Sequence, residues 1–203
     1  MINLSALVLS CTLKASPAPS SSDKLGLEVL TALDQHGVSG ELIRLADHII
    51  APGVLTDMGG DDDWPMIRAK VLAADILVVT TSIWMGHPAS YAQRLMERLD
   101  AELGETDSNG RFPTMDKVAA VAVVGNEDGA HMVHSQLYQA LNDVGFTLAA
   151  SARVYWVGEA MGDVDYVDLD ETPDKVAAST RLLASNTAHL ARVLRANPYP
   201  AIS

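Results

Sequence analysis

Residues 76–88 have the sequence ILVVTTSIWMGHP, and this stretch decides the fold class of the chain. A continuous apolar run that ends in hydroxyl, aromatic and glycine residues is typical of a strand covered on both faces, followed by a loop. Two further stretches have the same form, ALVLSCT at 6–12 and VAAVAVVGNEDG at 118–129. Helical patterns lie between these stretches. The alternation of strands and helices predicts an α/β fold with a parallel sheet and helices on both of its faces.

The alternation is repeated five times along the chain. We predict strands at about Ile2–Leu9, Glu41–Leu45, Ile76–Thr80, Val118–Val124 and Ala152–Val157. Since no linker or internal repeat interrupts the pattern, we expect residues 1–203 to form a single domain.

The bulk composition restricts the possible partners and the compartment. A formal net charge of -12 argues against nucleic acid and anionic membranes, which bind basic surfaces. The single cysteine, Cys11, fits a reducing compartment. The chain has no apolar run of about 18 residues that could cross a membrane and no charged leader. We therefore expect a cytoplasmic protein with no nucleic-acid or membrane partner.

The loop after the first strand is rich in hydroxyl groups and contains one lysine. Phosphates bind to short donors and to the free N–H groups at the start of a helix. The alternative is that one serine caps the helix and the others are solvent-exposed. The loop has neither the Gly-Lys-Ser/Thr of a P-loop nor the Gly-x-Gly-x-x-Gly of a dinucleotide site. The predicted phosphate-binding residues are Ser10, Thr12, Lys14, Ser20, Ser21 and Ser22.

The loops after the third and fourth predicted strands are suited to a flat ring. Backbone amides near Gly86 can reach a ring edge, and the Asn126 side chain can both donate and accept hydrogen bonds. Trp84 either stacks on the ring or is a buried packing anchor, and Asp128 is either a ligand or a helix cap. The predicted ring-binding residues are Ser82, Ile83, Trp84, Met85, Gly86, Gly125, Asn126, Asp128, Gly129 and His131.

Ligands of open parallel sheets bind beyond the carboxyl ends of the strands. One phosphate loop and two ring loops at that edge predict a mononucleotide with an aromatic head group, and FMN fits best. We predict no metal site, because His131 and His134 lie on one helix face without a third ligand.

The same three loops resemble the flavodoxin-like superfamily, and within it the NAD(P)H-dependent FMN reductases and quinone reductases. The resemblance rests on residues 10–14 with 20–22, on 81–86 and on 125–131, and it covers nearly the whole chain. It departs from the family pattern at Pro17 and Pro19, which lengthen the first loop. The resemblance implies a doubly wound sheet of five strands in the order 2-1-3-4-5. It also implies that the first segment binds the FMN phosphate and the other two bind the ring.

The resemblance further implies a homodimer or homotetramer in which a neighbouring subunit completes the ring pocket. The expected activity is oxidation of NAD(P)H by bound FMN, followed by reduction of a quinone, a flavin or a similar small acceptor in a ping-pong cycle. Because the cofactor supplies the chemistry, we predict no catalytic side chain. Two alternatives stay open, a flavodoxin-type one-electron carrier and a flavin-free ligand-binding module on the same fold.

Overall fold

The computed structural model describes residues 3–202, so the predicted strand residue Ile2 lies outside the described residues. Within this range the strands are β1 (Leu4–Ser10), β2 (Val38–Arg44), β3 (Ile76–Trp84), β4 (His87–Pro88), β5 (Val118–Gly125) and β6 (Thr147–Val157). The α-helices are α1 (Ser21–Asp34), α2 (Trp64–Ala73), α3 (Ser90–Leu99), α4 (Ala130–Asp143) and α5 (Asp174–Ala196). None of the helices in the described range is long and apolar enough to cross a bilayer.

The sheet has the order β2-β1-β3-β5-β6, and all of these neighbours are parallel. The two-residue β4 pairs with the end of β3 in the antiparallel direction. Without β4, the strand order is the predicted one. The direction of the winding changes between β1 and β3, and this is the edge at which ligands of such sheets bind.

Both faces of the sheet are buried, as the continuous apolar runs predict. Leu7 and Leu9 of β1 point to the layer that contains α2, α3 and α4, whereas Ala6 and Val8 point to the layer of α1 and α5. The chain therefore has an α/β fold with helices on both faces, and the predicted fold class is confirmed. Each fully buried aliphatic side chain contributes about 1.5–3 kcal/mol to this arrangement.

Three strand boundaries differ from the prediction by three or more residues. β6 begins at Thr147 instead of Ala152, because Thr147 and Leu148 already pair with Val118 and Ala119 of β5. β3 continues four residues beyond Thr80 to Trp84, because β5 pairs with it as far as Ser82 and β4 pairs with Ile83 and Trp84. β2 begins at Val38, directly after the turn at Gly37, which has a φ of 69°. Residues 82–84 were predicted to be in a loop, and they instead form the end of a strand.

The irregular segment 48–63 is fixed to α3 by a buried ion pair. Nη1 of Arg98 lies 2.8 Å from Oδ2 of Asp62, and both side chains are almost completely buried. The same guanidinium donates to the carbonyl oxygens of Ala51 and Leu55, each at 2.8 Å. Burial would raise the pKa of Asp62, but backbone N–H donors and Arg98 outweigh it and hold this pKa below its ordinary value.

Candidate functional site

A cavity of about 300 Å³ lies at the carboxyl ends of β1, β3, β5 and β6. The start of α1 and a segment after β6 complete its walls. The predicted site residues that line it are Thr12, Lys14, Ser20, Ser21, Ser22, Ser82, Ile83, Trp84, Gly125 and Asn126. The structure therefore brings residues from all three predicted loops to one cavity.

The three serines at the start of α1 have different roles. Ser20 is the N-cap of the helix, and its hydroxyl accepts the N–H of Asp23 at 3.2 Å. The hydroxyl of Ser21 accepts the N–H of Val167 at 3.1 Å. Within residues 3–202, the hydroxyl of Ser22 and the N–H groups of Ser21 and Ser22 have no partner. The first turn of α1 thus presents two N–H donors and one hydroxyl at the positive end of the helix dipole.

The loop before α1 is held in place by Arg44. Its Nε and Nη2 atoms donate to Oδ2 of Asp23 at 2.8 and 2.5 Å, and its Nη1 donates to the carbonyl oxygen of Ala18 at 2.9 Å. The hydroxyl of Ser10 donates to the other carboxylate oxygen of Asp23. Ser10 was predicted to contact the ligand, but it is fully buried, does not line the cavity and instead supports the loop.

Trp84 stands at the rim of the cavity. Its side chain is 53% exposed, and its Nε1 donates to the hydroxyl of Ser82 at 2.9 Å. At this exposure Trp84 is not buried between the sheet and a helix of its own chain. The neighbouring Met85 is 88% exposed and does not line the cavity, and its N–H donates to Oε1 of Glu127 at 2.8 Å. Glu127 therefore connects the two ring loops.

Gly86 and Gly129 lie against each other and do not line the cavity. A Cβ atom at Gly129, which has a φ of 130°, would come within 2.7 Å of the Cα of Gly86. We expected the missing side chain of Gly86 to let the backbone approach a ring. In the structure, the missing side chains of Gly86 and Gly129 let the loop after β3 and the loop after β5 approach each other.

The other two predicted residues of the third loop also lie outside the cavity. Asp128 is exposed, and α4 is preceded by Gly129 without any side-chain cap, so the alternative role of Asp128 as a helix cap is not observed. The ring of His131 packs edge-on against Tyr155, with 5.4 Å between the ring centroids. Within residues 3–202, no group of three or more His, Cys, Asp or Glu side chains is placed to hold a metal ion.

Asn126 lines the cavity and fixes the loop that follows β6. Its Nδ2 donates to the carbonyl oxygen of Gly162, and its backbone oxygen accepts the N–H of Met161, both at 2.8 Å. Its Oδ1 has no partner among residues 3–202 and is available as an acceptor.

Some lining residues were not predicted from the sequence. These are Leu13, Val124, Glu127, Trp156, Asp165 and Tyr166. Trp156 lies at the carboxyl end of β6, the fifth predicted strand. Its place in the cavity follows from the rule that ligands bind beyond the carboxyl ends of parallel strands. Asp165 and Tyr166 come from an irregular segment with no pattern that points to a site.

Burial raises the pKa of two groups, the Cys11 thiol in the core below the cavity-lining Thr12 and the Tyr166 phenol in the cavity wall. Burial raises the pKa of the Cys11 thiol, so it is not an ionised nucleophile. Burial and a hydrogen bond to Glu28 raise the pKa of Tyr166.

Comparison with known proteins identifies the family. Residues 6–162 match the sequence profile described as NADPH-dependent FMN reductase. The chain belongs to this family. It is a family of flavin-binding oxidoreductases, and the resemblance drawn from the three loops is confirmed.

Two curated relatives match over nearly the whole chain. The 8-demethyl-8-aminoriboflavin-5'-phosphate synthase of Streptomyces davaonensis is 31% identical over 97% of this chain and 80% of the relative. The divalent metal cation transporter MntH of Mycobacterium bovis is 32% identical over 95% of this chain. The chain spans only 29% of the length of that transporter.

A solved structure supports the same assignment. The crystal structure of RosB with bound 8-demethyl-8-formylriboflavin-5'-phosphate is 31% identical and superposes with a TM-score of 0.87. The match covers 97% of this chain and 82% of RosB. A flavodoxin from the domain Archaea is only 11% identical, but it superposes with a TM-score of 0.59 over 93% of this chain and 99% of the flavodoxin. The fold is therefore flavodoxin-like, as the resemblance implied.

Proposed function

We propose that this protein holds FMN non-covalently in the cavity and uses it to oxidise NAD(P)H. The observation that carries the proposal is the first turn of α1, where the N–H groups of Ser21 and Ser22 lie beside the cavity and have no acceptor among residues 3–202. A phosphate dianion satisfies such donors. Membership of the FMN reductase family supports FMN as the ligand.

The described residues fit the parts of FMN in order. The hydroxyl of Ser22 and the start of α1 would bind the phosphate, with Lys14 as a nearby positive charge. The Oδ1 of Asn126 would accept a ring N–H, and Trp84 would cover part of the ring and exclude water from it. Bound FMN would accept hydride from NAD(P)H and reduce a quinone, a flavin or a similar small acceptor. The chain binds and orients the ring, and no side chain is needed to move a proton.

Anaerobic mixing tests this function. Excess NADH or NADPH should bleach the yellow colour of the FMN-loaded protein, and a quinone should restore it, with parallel lines in a steady-state analysis. A one-electron carrier would keep its colour with both nicotinamides. A purified protein that takes up no FMN would support the flavin-free alternative and contradict the proposal.

A second candidate function is modification of the flavin itself. The observation that favours it is the 31% identity to a synthase of an amino-substituted flavin phosphate and to RosB, which was solved with a formyl-substituted one. The two candidates differ in the fate of FMN. After aerobic incubation of the FMN-loaded protein with an amine donor, mass spectrometry should recover FMN of unchanged mass if the protein is a reductase, and of changed mass if FMN is the substrate.

We also propose that the protein self-associates around the cavity mouth as a homodimer or homotetramer. Met85 and Met161 are 88% and 87% exposed, and Trp84 at the cavity rim is 53% exposed, and a second copy would cover such exposed apolar side chains. Light scattering at micromolar concentration should give at least twice the monomer mass. A mass near 21.6 kDa would contradict this expectation.

Cys11, buried and unpaired, supports the proposal of a cytoplasmic location.

A further inference from the structure

A segment that lies beyond the end of the family profile forms one wall of the cavity. Residues 165–172, called here the strap, are the second half of the connection between β6 and α5 and contain a short 3-10 turn at Tyr166–Asp168. The family profile ends at residue 162, before the strap. Nevertheless Asp165 and Tyr166 line the cavity, and Tyr166 is only 1% exposed.

The strap is bonded to the turn of α1 that carries the proposed phosphate site. The N–H of Val167 donates to the hydroxyl of Ser21 at 3.1 Å. One turn further along the helix, Nζ of Lys24 donates to the carbonyl oxygens of Tyr166 at 3.2 Å and Leu169 at 2.6 Å. The strap therefore closes the side of the cavity between α1 and the end of β6.

Glu28 joins the two ends of the strap. Its Oε2 accepts the hydroxyl of Tyr166, and its Oε1 accepts the hydroxyl of Thr172 at 2.8 Å. The Tyr166 ring lies against the indole of Trp156, with 5.4 Å between the centroids, and Trp156 also lines the cavity. The Glu28 carboxylate thus fixes the Tyr166 side chain. Tyr166 in turn supports the indole of Trp156 in the cavity wall.

The loop on the other side of the N-terminus of α1 is also held in place. Arg44 binds Asp23 and the carbonyl oxygen of Ala18, which holds the loop before α1. The start of α1 lies between this loop and the strap. We therefore expect a group that extends from a phosphate bound there to meet either the loop or the strap.

We propose that the strap determines the ligand specificity of the cavity. It admits a flavin that ends in a single phosphate and rejects a flavin whose phosphate carries a further group. Tyr166 is a positioning residue that acts through Glu28 and Trp156. This inference rests on the proposed binding of FMN and adds which residues select the mononucleotide over a dinucleotide such as FAD.

The test compares the affinities of the full-length protein for FMN and FAD by fluorescence titration. Tyr166→Phe removes the hydroxyl and keeps the ring, and Lys24→Met removes the two bonds to the strap carbonyls. We expect each variant to lower the preference for FMN over FAD at least tenfold. Glu28→Gln should retain the preference, because its amide oxygen can still accept the Tyr166 hydroxyl. Thr31→Ala is the control, since its hydroxyl lies on the same helix and bonds only to the carbonyl oxygen of Leu27.

The outcomes separate the strap from the proposed function. If the wild-type protein binds no FMN, the proposed function fails. If it binds FMN, but both variants keep the wild-type preference or lose both flavins equally, the strap is only structural and the inference is overturned. If Tyr166→Phe does not fold, Lys24→Met alone decides, because it leaves the buried ring in place.

Discussion

Arg98→Met should lower the free energy of unfolding by about 3–5 kcal/mol, the cost of leaving one partner of a buried ion pair uncompensated. The variant leaves the carboxylate of Asp62 buried without its cation, and it removes the donor from the carbonyl oxygens of Ala51 and Leu55. Urea denaturation followed by circular dichroism measures the change. Because this pair fixes segment 48–63 and lies outside the cavity, the folded variant should still bind FMN.

Lys70→Met is the matched control. Lys70 pairs with Glu41 at 2.7 Å on the surface, with side chains 40% and 54% exposed, so its loss should cost less than about 1 kcal/mol. A loss of stability for Arg98→Met as small as that of the control would contradict the account.

The folded-state pKa of Asp62 lies below its unfolded value. The stability that this ionised carboxylate contributes is therefore present above about pH 4 and is lost as the pH falls through the folded-state pKa.

Arg44→Met should weaken FMN binding by about tenfold to a hundredfold. The substitution removes the charged hydrogen bonds that hold the phosphate loop to Asp23 and Ala18, and each such bond contributes about 1.5–3 kcal/mol. Without them, binding of the phosphate must also order the loop. Riboflavin, which lacks the phosphate, should be affected much less, and titration calorimetry with both flavins measures the difference.

Arg111→Met is the control for this variant. Arg111 makes the same type of double contact to Asp107 and also donates to the carbonyl oxygen of Tyr199, but it does not line the cavity. Its loss should leave FMN affinity unchanged. Equal losses of FMN and riboflavin affinity in Arg44→Met would show that Arg44 supports the fold and not the phosphate site.

Much of the fold could be predicted because strands buried on both faces leave an unmistakable apolar run. The runs at 76–79 and 118–124 were located correctly for this reason. The end of β3 could not be predicted from residues 82–84, because these residues are in a strand only through their pairing with β4 and β5. The strand order followed from the resemblance.

The site was predictable in its location and less so in its contacts. The position of the three loops followed from where the strands end. The separate roles of the three serines depend on Asp23 and on Val167, and the latter lies 146 residues away from Ser21 in the chain. The packing of Gly86 on Gly129 and the position of Tyr166 likewise depend on contacts between distant segments. A local sequence pattern contains no information about such contacts.

The most direct test of the central claim is the relative affinity of the protein for FMN and riboflavin, measured by titration of the same flavin-free preparation. If the start of α1 binds the phosphate through the N–H groups of Ser21 and Ser22, two charged hydrogen bonds separate the ligands. We therefore expect FMN to bind at least about a hundredfold more tightly than riboflavin. Equal affinities for the two flavins would contradict the claim that this cavity is built around a phosphate at the end of α1.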